Sequence, residues 1–327
     1  MMAIENNKSK GNSIITEPIK TGTEINKKDK IETSLSDIKS QRGSIINFDV
    51  WATDKDGKKI DSSVTLNGQT VPKTWDDVSK TSYRLKFTDA GENIIIITAG
   101  DAAKTLIVNY IPSQEGDVIG KAAVSAEVFT LGRGYIIDPV IVDIKESENA
   151  AQILDNLLKQ NGYTYDSTGS LTAGFYLSAL HGGRLPLEGN IPGNLKESLN
   201  NNGFEITYED VHDGGLGEFN YTRGSGWMYC VNGIFPNVGF CDYSLSDGDV
   251  MRIQFTLAYG ADIGGASAMG YDYADDYYKV ADKDELTKLL AEKGINNVPV
   301  EALNAAIKID SVQEDIDTAV NIIKTGK

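Results

Sequence analysis

Residues Gly215–Phe255, GLGEFNYTRGSGWMYCVNGIFPNVGFCDYSLSDGDVMRIQF, hold both cysteines of the chain and a dense run of turn residues. Trp227, Tyr229 and Val231 alternate with Met228 and Cys230, the period-two pattern of a strand with two different faces. Asn232-Gly233, Pro236, Asn237 and Gly239 then interrupt any regular element, and Phe240 to Tyr243 can return beside the first strand as a hairpin with an aromatic tip. Asp247-Gly248-Asp249 makes a further tight turn into Val250, Ile253 and Phe255, a more buried strand.

Upstream, Ala123 to Thr130 and Tyr135 to Ile144 flank Gly132-Arg133-Gly134 and read as a second hairpin. The two glycines are not a dinucleotide fingerprint, which needs a third glycine and a following helix. Ser147 is the expected cap of a helix whose apolar face carries Ala150, Ile153, Leu154, Leu157 and Leu158, with Gly162 as its stop. A hairpin followed by a helix with one apolar face to cover is the logic of a β-grasp domain.

The strings LGEFNYTRGSGWMYCVNG, FPNVG and YSLSDGDVMRIQF, with VSAEVFTLGRGYIIDPVIVDIKESENAAQILDNLLKQNG before them, resemble the C-terminal domain of transcobalamin and intrinsic factor. The same domain recurs in bacterial surface proteins as one of unknown function. The likeness spans Ala122 to Tyr259. It implies a β-grasp-like fold, an exported protein and, from the vitamin carriers, a cobalamin-like corrinoid as ligand. The carriers close that ligand against a large helical barrel for which this sequence has no counterpart.

No cofactor is expected beyond such a ligand. On the residues themselves, Trp227, Tyr229, Phe235 and Asn237 at the hairpin tip, joined by Tyr176, read as an apolar platform with amide donors. The competing reading is that these rings simply fill the two sheet faces. If the hairpin pairs directly, Cys230 lies opposite Cys241 and a disulfide can pin the tip; otherwise both are buried thiols.

Outside this domain, residues 1–42 read as a polar, flexible segment with one edge strand near Ile31 to Ile38. Residues 43–112 carry short strands, Ser44 to Ala52, Ser63 to Leu66, Ser82 to Thr88, Asn93 to Ala99 and Lys104 to Tyr110, that fit an immunoglobulin-like β-sandwich with Trp51 and Tyr83 in its core. Residues 117–262 form the transcobalamin-like β-grasp domain, with a Gly/Asn/Ser-rich connection from Tyr163 to Gly214 containing one helix near Asn194 to Asn201. Phe175, Tyr176, His181 and Arg184 either add to a binding surface there or, as for Phe175 and Leu177, cover the end of the core. The run from Gly260 to Tyr278 reads as a loop, and residues 277–327 as a helical bundle or cap, with Asp282 and Glu285 as a capping box and Pro299 opening the second helix. The fold class is thus mainly β with an α+β part.

The 327-residue chain has a net charge of −16, which argues against nucleic acid and anionic membrane surfaces as partners. No apolar run reaches the ~20 residues of a membrane span. MMAIENNKSKGNSIITEP lacks the apolar region of a secretion signal, so the chain is either cytosolic or an exported protein whose signal is removed; the resemblance favours the second. Two histidines without metal or nucleophile spacing, and three aspartates at 54, 56 and 61 without the rest of a calcium loop, give no catalytic or metal motif. The expected function is a non-enzymatic surface binding protein, its partner a small molecule or a cell-surface protein or glycan. An adhesion or spacer module is the alternative.

Overall fold

A computed structural model describes residues 28–183, 185–186, 188–269, 277 and 279–326. From Lys30 to Tyr110 the strands are β1 (Lys30–Thr33), β2 (Ile38–Gln41), β3 (Ile45–Thr53), β4 (Ser63–Leu66), β5 (Gln69–Val71), β6 (Lys73–Asp76), β7 (Thr81–Lys86), β8 (Gly91–Ala99) and β9 (Ala102–Tyr110). They build two facing sheets, ordered β1-β3-β7-β6 and β2-β9-β8-β4-β5, an immunoglobulin-like sandwich. Phe48, Val50, Leu85, Ile95, Ile97 and Val108 fill its core from alternate positions along their strands. The sandwich begins at Lys30 rather than at residue 43. KIET and IKSQ, β1 and β2, are too short and polar to show alternation, but they pair with β3 and β9.

Tyr83 is in the core as expected, its hydroxyl donating to the Ser62 carbonyl at 2.6 Å. Trp51 is not. The inward set on β3 is Ile46, Phe48, Val50 and Ala52, so the opposite parity places Trp51, half-buried, on the outer face.

The second domain follows as β10 (Val118–Glu127), β11 (Tyr135–Lys145), α1 (Ala150–Gln160), β12 (Tyr163–Ser170), β13 (Ala173–Gly182), α2 (Gly193–Asn201), β14 (Leu216–Gly217), β15 (Gly226–Val231) and β16 (Val250–Thr256). Its main sheet runs β11-β10-β16-β15, with β10 and β16 parallel at the centre and antiparallel neighbours outside. The helix α1 packs across one face, completing a β-grasp. Asn149, not Ser147, caps it: the Asn149 side chain accepts from Gln152 N while the Gln152 side chain accepts from Asn149 N. Leu154 and Leu158 of α1 bury fully against Val124, Met251, Ile253 and Phe255. Gly120 is required where the hairpin edge meets the β15–β16 connection, since a Cβ there would lie 2.6 Å from that of Asp247.

The expected α2 is present, with Leu195 and Leu199 buried. The rest of the 163–214 connection is not loop alone, since β12, β13 and β14 form a small second sheet. Along β12 the residues after Tyr163 are almost all exposed, so no buried face marks the strand in the sequence.

Three helices, α3 (Asp284–Lys293), α4 (Val300–Ile307) and α5 (Gln313–Thr325), cap the other face of the main sheet, α3 lying on β10, β11 and β16. That face is partly polar. Arg252 donates through Nε and an Nη to the two oxygens of Glu127 at 2.8 and 2.7 Å, and Ser125 also donates to Glu127. Lys283 donates to the carbonyls of Ala306 and Lys308 and lies 4.9 Å above the Phe129 ring. Asp282 accepts from Asp284 N, but Glu285 pairs with Lys324 instead of closing a capping box.

Asp284 has one buried oxygen without a partner among the described residues, and burial pushes its carboxyl up to about 7, opposed by Arg252 and reinforced by Asp282, Glu127 and Asp249. The folded-state value therefore lies above the unfolded one. Its contribution to stability is intact below about pH 4 and is lost as pH rises through about 7. Asp284→Asn is expected to raise the thermal midpoint at pH 8 and to leave it nearly unchanged at pH 4, in parallel melts of both proteins.

Candidate functional site

The strand β15 does not turn back onto residues 240–243. It pairs with β16 in six registered pairs from Gly226 opposite Thr256 to Val231 opposite Met251. Asn232 and Gly233 take positive φ of 51° and 71°, so Val231 and Ile234 exchange both backbone hydrogen bonds and the turn closes at once. Residues 232–249 become an irregular connection, with one short 3₁₀ turn at Phe240–Asp242.

This register decides the fate of the expected platform. Trp227 is 7% exposed and Tyr229 6%, both on the α1 side of the sheet. The Trp227 indole donates to the Leu216 carbonyl at 2.8 Å and meets Phe255 edge-on at 5.1 Å. Tyr229 stacks on Phe240 at 4.1 Å and donates to the Val238 carbonyl at 2.9 Å. Phe235, 8% exposed, packs on the opposite, cap side with Phe129, Cys230, Ile263 and Ile309. These three rings are core, as the competing reading had it.

Tyr176 is 48% exposed on β13 and bonded to Glu218 at 2.7 Å, apart from the tip. Phe175 and Leu177 are buried; His181 bonds Asp166; Arg184 lies outside the described residues, as do residues 270–276 and 278 of the acidic, tyrosine-rich run.

The cysteines are both free and lie in different cores. Cys230 faces the cap and accepts from Gln254 Nε2 at 3.2 Å, whereas Cys241 faces α1 and accepts from Phe175 N at 3.3 Å. A disulfide would have to cross the sheet, so the expected bridge is not made. Burial pushes the Cys230 thiol up to about 12, far from the thiolate needed for reaction. Two thiols per chain are expected to react with a maleimide in denaturant without reductant and neither in the native protein; a single denatured-state adduct, or none, would contradict these positions.

Of Trp227, Tyr229, Phe235 and Asn237, Asn237 alone lines the space between the two domains. The outer face of the β1-β3-β7-β6 sheet docks against the 232–249 connection: Asn47 donates to the Ser244 carbonyl at 2.9 Å and Arg84 to the Asp242 carbonyl at 3.0 Å. Between the two domains remains a cleft of about 200 Å³, with Trp75 and Leu35 on the sandwich wall and Ile234, Pro236, Asn237 and Tyr243 on the β-grasp wall.

Of the charged groups of the cleft, Asp242 is exposed, with the Cys241 thiol 3.6 Å from its carboxylate, and the other three are engaged. Asp49 holds Lys80 at 3.1 Å, Arg84 is bound as above, and Asp249 accepts from Asn232 and Ser246 N at 2.8 and 2.7 Å. Burial raises the Asp249 carboxyl above its ordinary range despite those two bonds. Two polar atoms are not engaged. Trp75 Nε1 and Asn237 Oδ1 are both buried and have no hydrogen-bond partner among the described residues.

The sequence singled out Asn237 for a hairpin-tip platform rather than for this cleft, and did not single out Trp75, whose strand β6 is four mostly exposed residues with no pattern. A wider groove of about 860 Å³ between β11 and α1 is lined by mixed charges such as Lys121, Asp143, Lys145 and Glu148. None of the unpartnered buried side-chain atoms lies there.

With this geometry in place, residues 214–257 match the model of a domain of unknown function, DUF4430. The match takes in β14, β15, β16 and the β-grasp wall of the cleft. No curated protein matches. Among solved structures, domains 4 and 5 of the S-layer protein SbsC align at 20% identity over 25% of this chain and 51% of that chain, with a TM-score of 0.21. The chain thus spans about half the length of that structure. Domains 5 and 6 of SbsC align at 12% identity over 69% of this chain and 97% of that one, TM-score 0.26, and fibronectin(III)-like modules of Clostridium thermocellum CbhA at 14% over 26% and 47%, TM-score 0.21.

Proposed function

We propose that this chain is a non-enzymatic, extracellular or cell-surface binding module that holds a small ligand in the cleft between its sandwich and its β-grasp domain. The observation that carries the reading is the cleft itself, lined from opposite walls by Trp75 and Asn237, whose buried Nε1 and Oδ1 have no hydrogen-bond partner among the described residues. Buried polar groups are paired in the great majority of folded proteins, so two unpartnered side chains lining one cleft support a partner there. Clefts between domains are also where ligand sites concentrate.

Export is supported by the resemblance of residues 122–259 to a domain of secreted carriers. The corrinoid implied by the vitamin carriers has no platform, because Trp227, Tyr229 and Phe235 are core. The cleft of about 200 Å³ also falls below the ~300–1,000 Å³ of pockets that enclose drug-sized ligands, and so cannot enclose a corrinoid.

Saturation-transfer NMR of a mixture of monosaccharides, amino acids and dipeptides tests the site. At least one component is expected to bind the native protein and to be lost with Asn237→Leu, which removes the acceptor and fills space. Components that bind both proteins equally would place the site elsewhere.

A further inference from the structure

The strand β11 is an outer strand of the main sheet, paired on one side only, with β10. Which of its backbone groups face outward follows from β10. Ala123 gives its N–H to the Asp249 carbonyl beside β16, so its neighbours Ala122 and Val124 turn towards β11, where they face Val142 and Val140. The alternate residues, Ile141 and Asp143, therefore point their N–H and C=O groups away from the sheet.

Both ends of that edge are closed by the protein itself. The Tyr163 hydroxyl donates to the Ile136 carbonyl at 3.0 Å; at the far end Lys145 N donates to Glu148 at 3.3 Å and Glu148 N donates back to the Lys145 carbonyl at 3.0 Å. Between them, the N–H and C=O groups of Ile141 and Asp143 have no hydrogen-bond partner among the described residues. They lie along the groove of about 860 Å³. Consecutive residues from Ile136 to Asp143 line it, which side chains alternating between two faces can do only where a groove follows the strand's edge. One wall is α1, through Ile153 and Leu157, and the other is the turn at Ile295 and Asn296 after α3. The edge is the floor between them. Two copies of so recessed an edge cannot meet, because their walls touch first, whereas a single extended chain can enter.

We propose that this groove takes an extended peptide of another protein, which adds to β11 as an antiparallel strand through the N–H and C=O groups of Ile141 and Asp143. The span from Asp138 to Lys145 sets its length at about 23 Å, roughly eight residues. Val142, packed against the α1 core, and Val140, 37% exposed, share one face of the strand, so every second residue of the partner is apolar. Charge sets its direction. Asp143 is held by Lys121 at 2.6 Å, and Lys145 and Glu148 offset each other at one end. Asp138, exposed at the other end, makes no ion pair among the described residues, so the partner carries a base there, at its C-terminal end.

The test is NMR titration of the ¹⁵N-labelled full chain with the end-blocked peptide Thr-Val-Thr-Val-Thr-Val-Thr-Lys. Saturable shifts of the Ile141 and Asp143 amides are expected. N-methylation of the threonines, which deletes the donors turned to β11, is expected to weaken binding about tenfold or more. Glutamate in place of the terminal lysine is expected to weaken it about threefold, and Asp138→Lys to reverse that preference. Ile141→Pro removes an outward N–H that the fold does not use; it is expected to abolish binding while the Trp227 indole resonance stays in place. No saturable binding, or binding that moves other amides and ignores N-methylation, overturns the proposal. So does a native chain that dimerises and becomes monomeric with Ile141→Pro, which would give the edge to a second copy.

Discussion

Glu127→Ala is expected to destabilise the chain by about 3–5 kcal/mol, the usual result of removing one partner from a buried ion pair. Glu127 on β10 and Arg252 on β16 lie almost wholly out of solvent between the main sheet and the helical cap, joined by two hydrogen bonds. Alanine would leave a guanidinium whose charge Glu127 now holds, with no carboxylate to take its protons. The pair itself need not be strongly stabilising. Glu127→Leu with Arg252→Met, which removes both charges and keeps the volume, is expected to recover most of the loss. Urea unfolding of the three proteins at pH 7 decides it, and a single variant as stable as the native chain would mean that the cap leaves this pair in water.

Trp227→Ala is expected to cost a further-reaching 3–5 kcal/mol, roughly the penalty for truncating a large buried aromatic. Phe255 loses its edge-on partner, the Leu216 carbonyl loses its donor, and a cavity opens in the core shared with α1. Trp227→Phe should cost less, about 1–3 kcal/mol, chiefly for the unpaired carbonyl. The expectation separates core from platform: a ring that served a ligand would be lost with little effect on the unfolding midpoint.

The sandwich strands and the grasp helix were legible because burial on one face writes itself as alternation, as in Ile95 and Ile97 of β8 or Leu154 and Leu158 of α1. Elements with little buried surface left little such trace: β1 and β2 were read as a single edge strand near Ile31 to Ile38, and β6 and the polar β12 were missed or read as loop. Along β15, the period-two pattern correctly gave Trp227 and Cys230 opposite faces, but it could not say which face is covered. Both are, one by α1 and one by the cap, so rings that resembled a platform are core. The pairing of β15 with β16 rests on a turn that closes at Ile234 and on a partner 20 or more residues away, neither of which local alternation records. Trp75 reaches the cleft only because the two domains dock, a contact between residues far apart in the chain.

Three tryptophans, at 51, 75 and 227, give three indole N–H resonances, each reporting a different part of the molecule: the outer face of the sandwich, the cleft and the β-grasp core. Adding the monosaccharide, amino acid and dipeptide mixture to ¹⁵N-labelled full-length protein therefore shows directly where a ligand sits. The expected result is a shift of the Trp75 indole with Trp227 and Trp51 unmoved. A ligand that moves Trp227 and leaves Trp75 in place, or a mixture in which nothing moves Trp75, would contradict a binding site between the two domains.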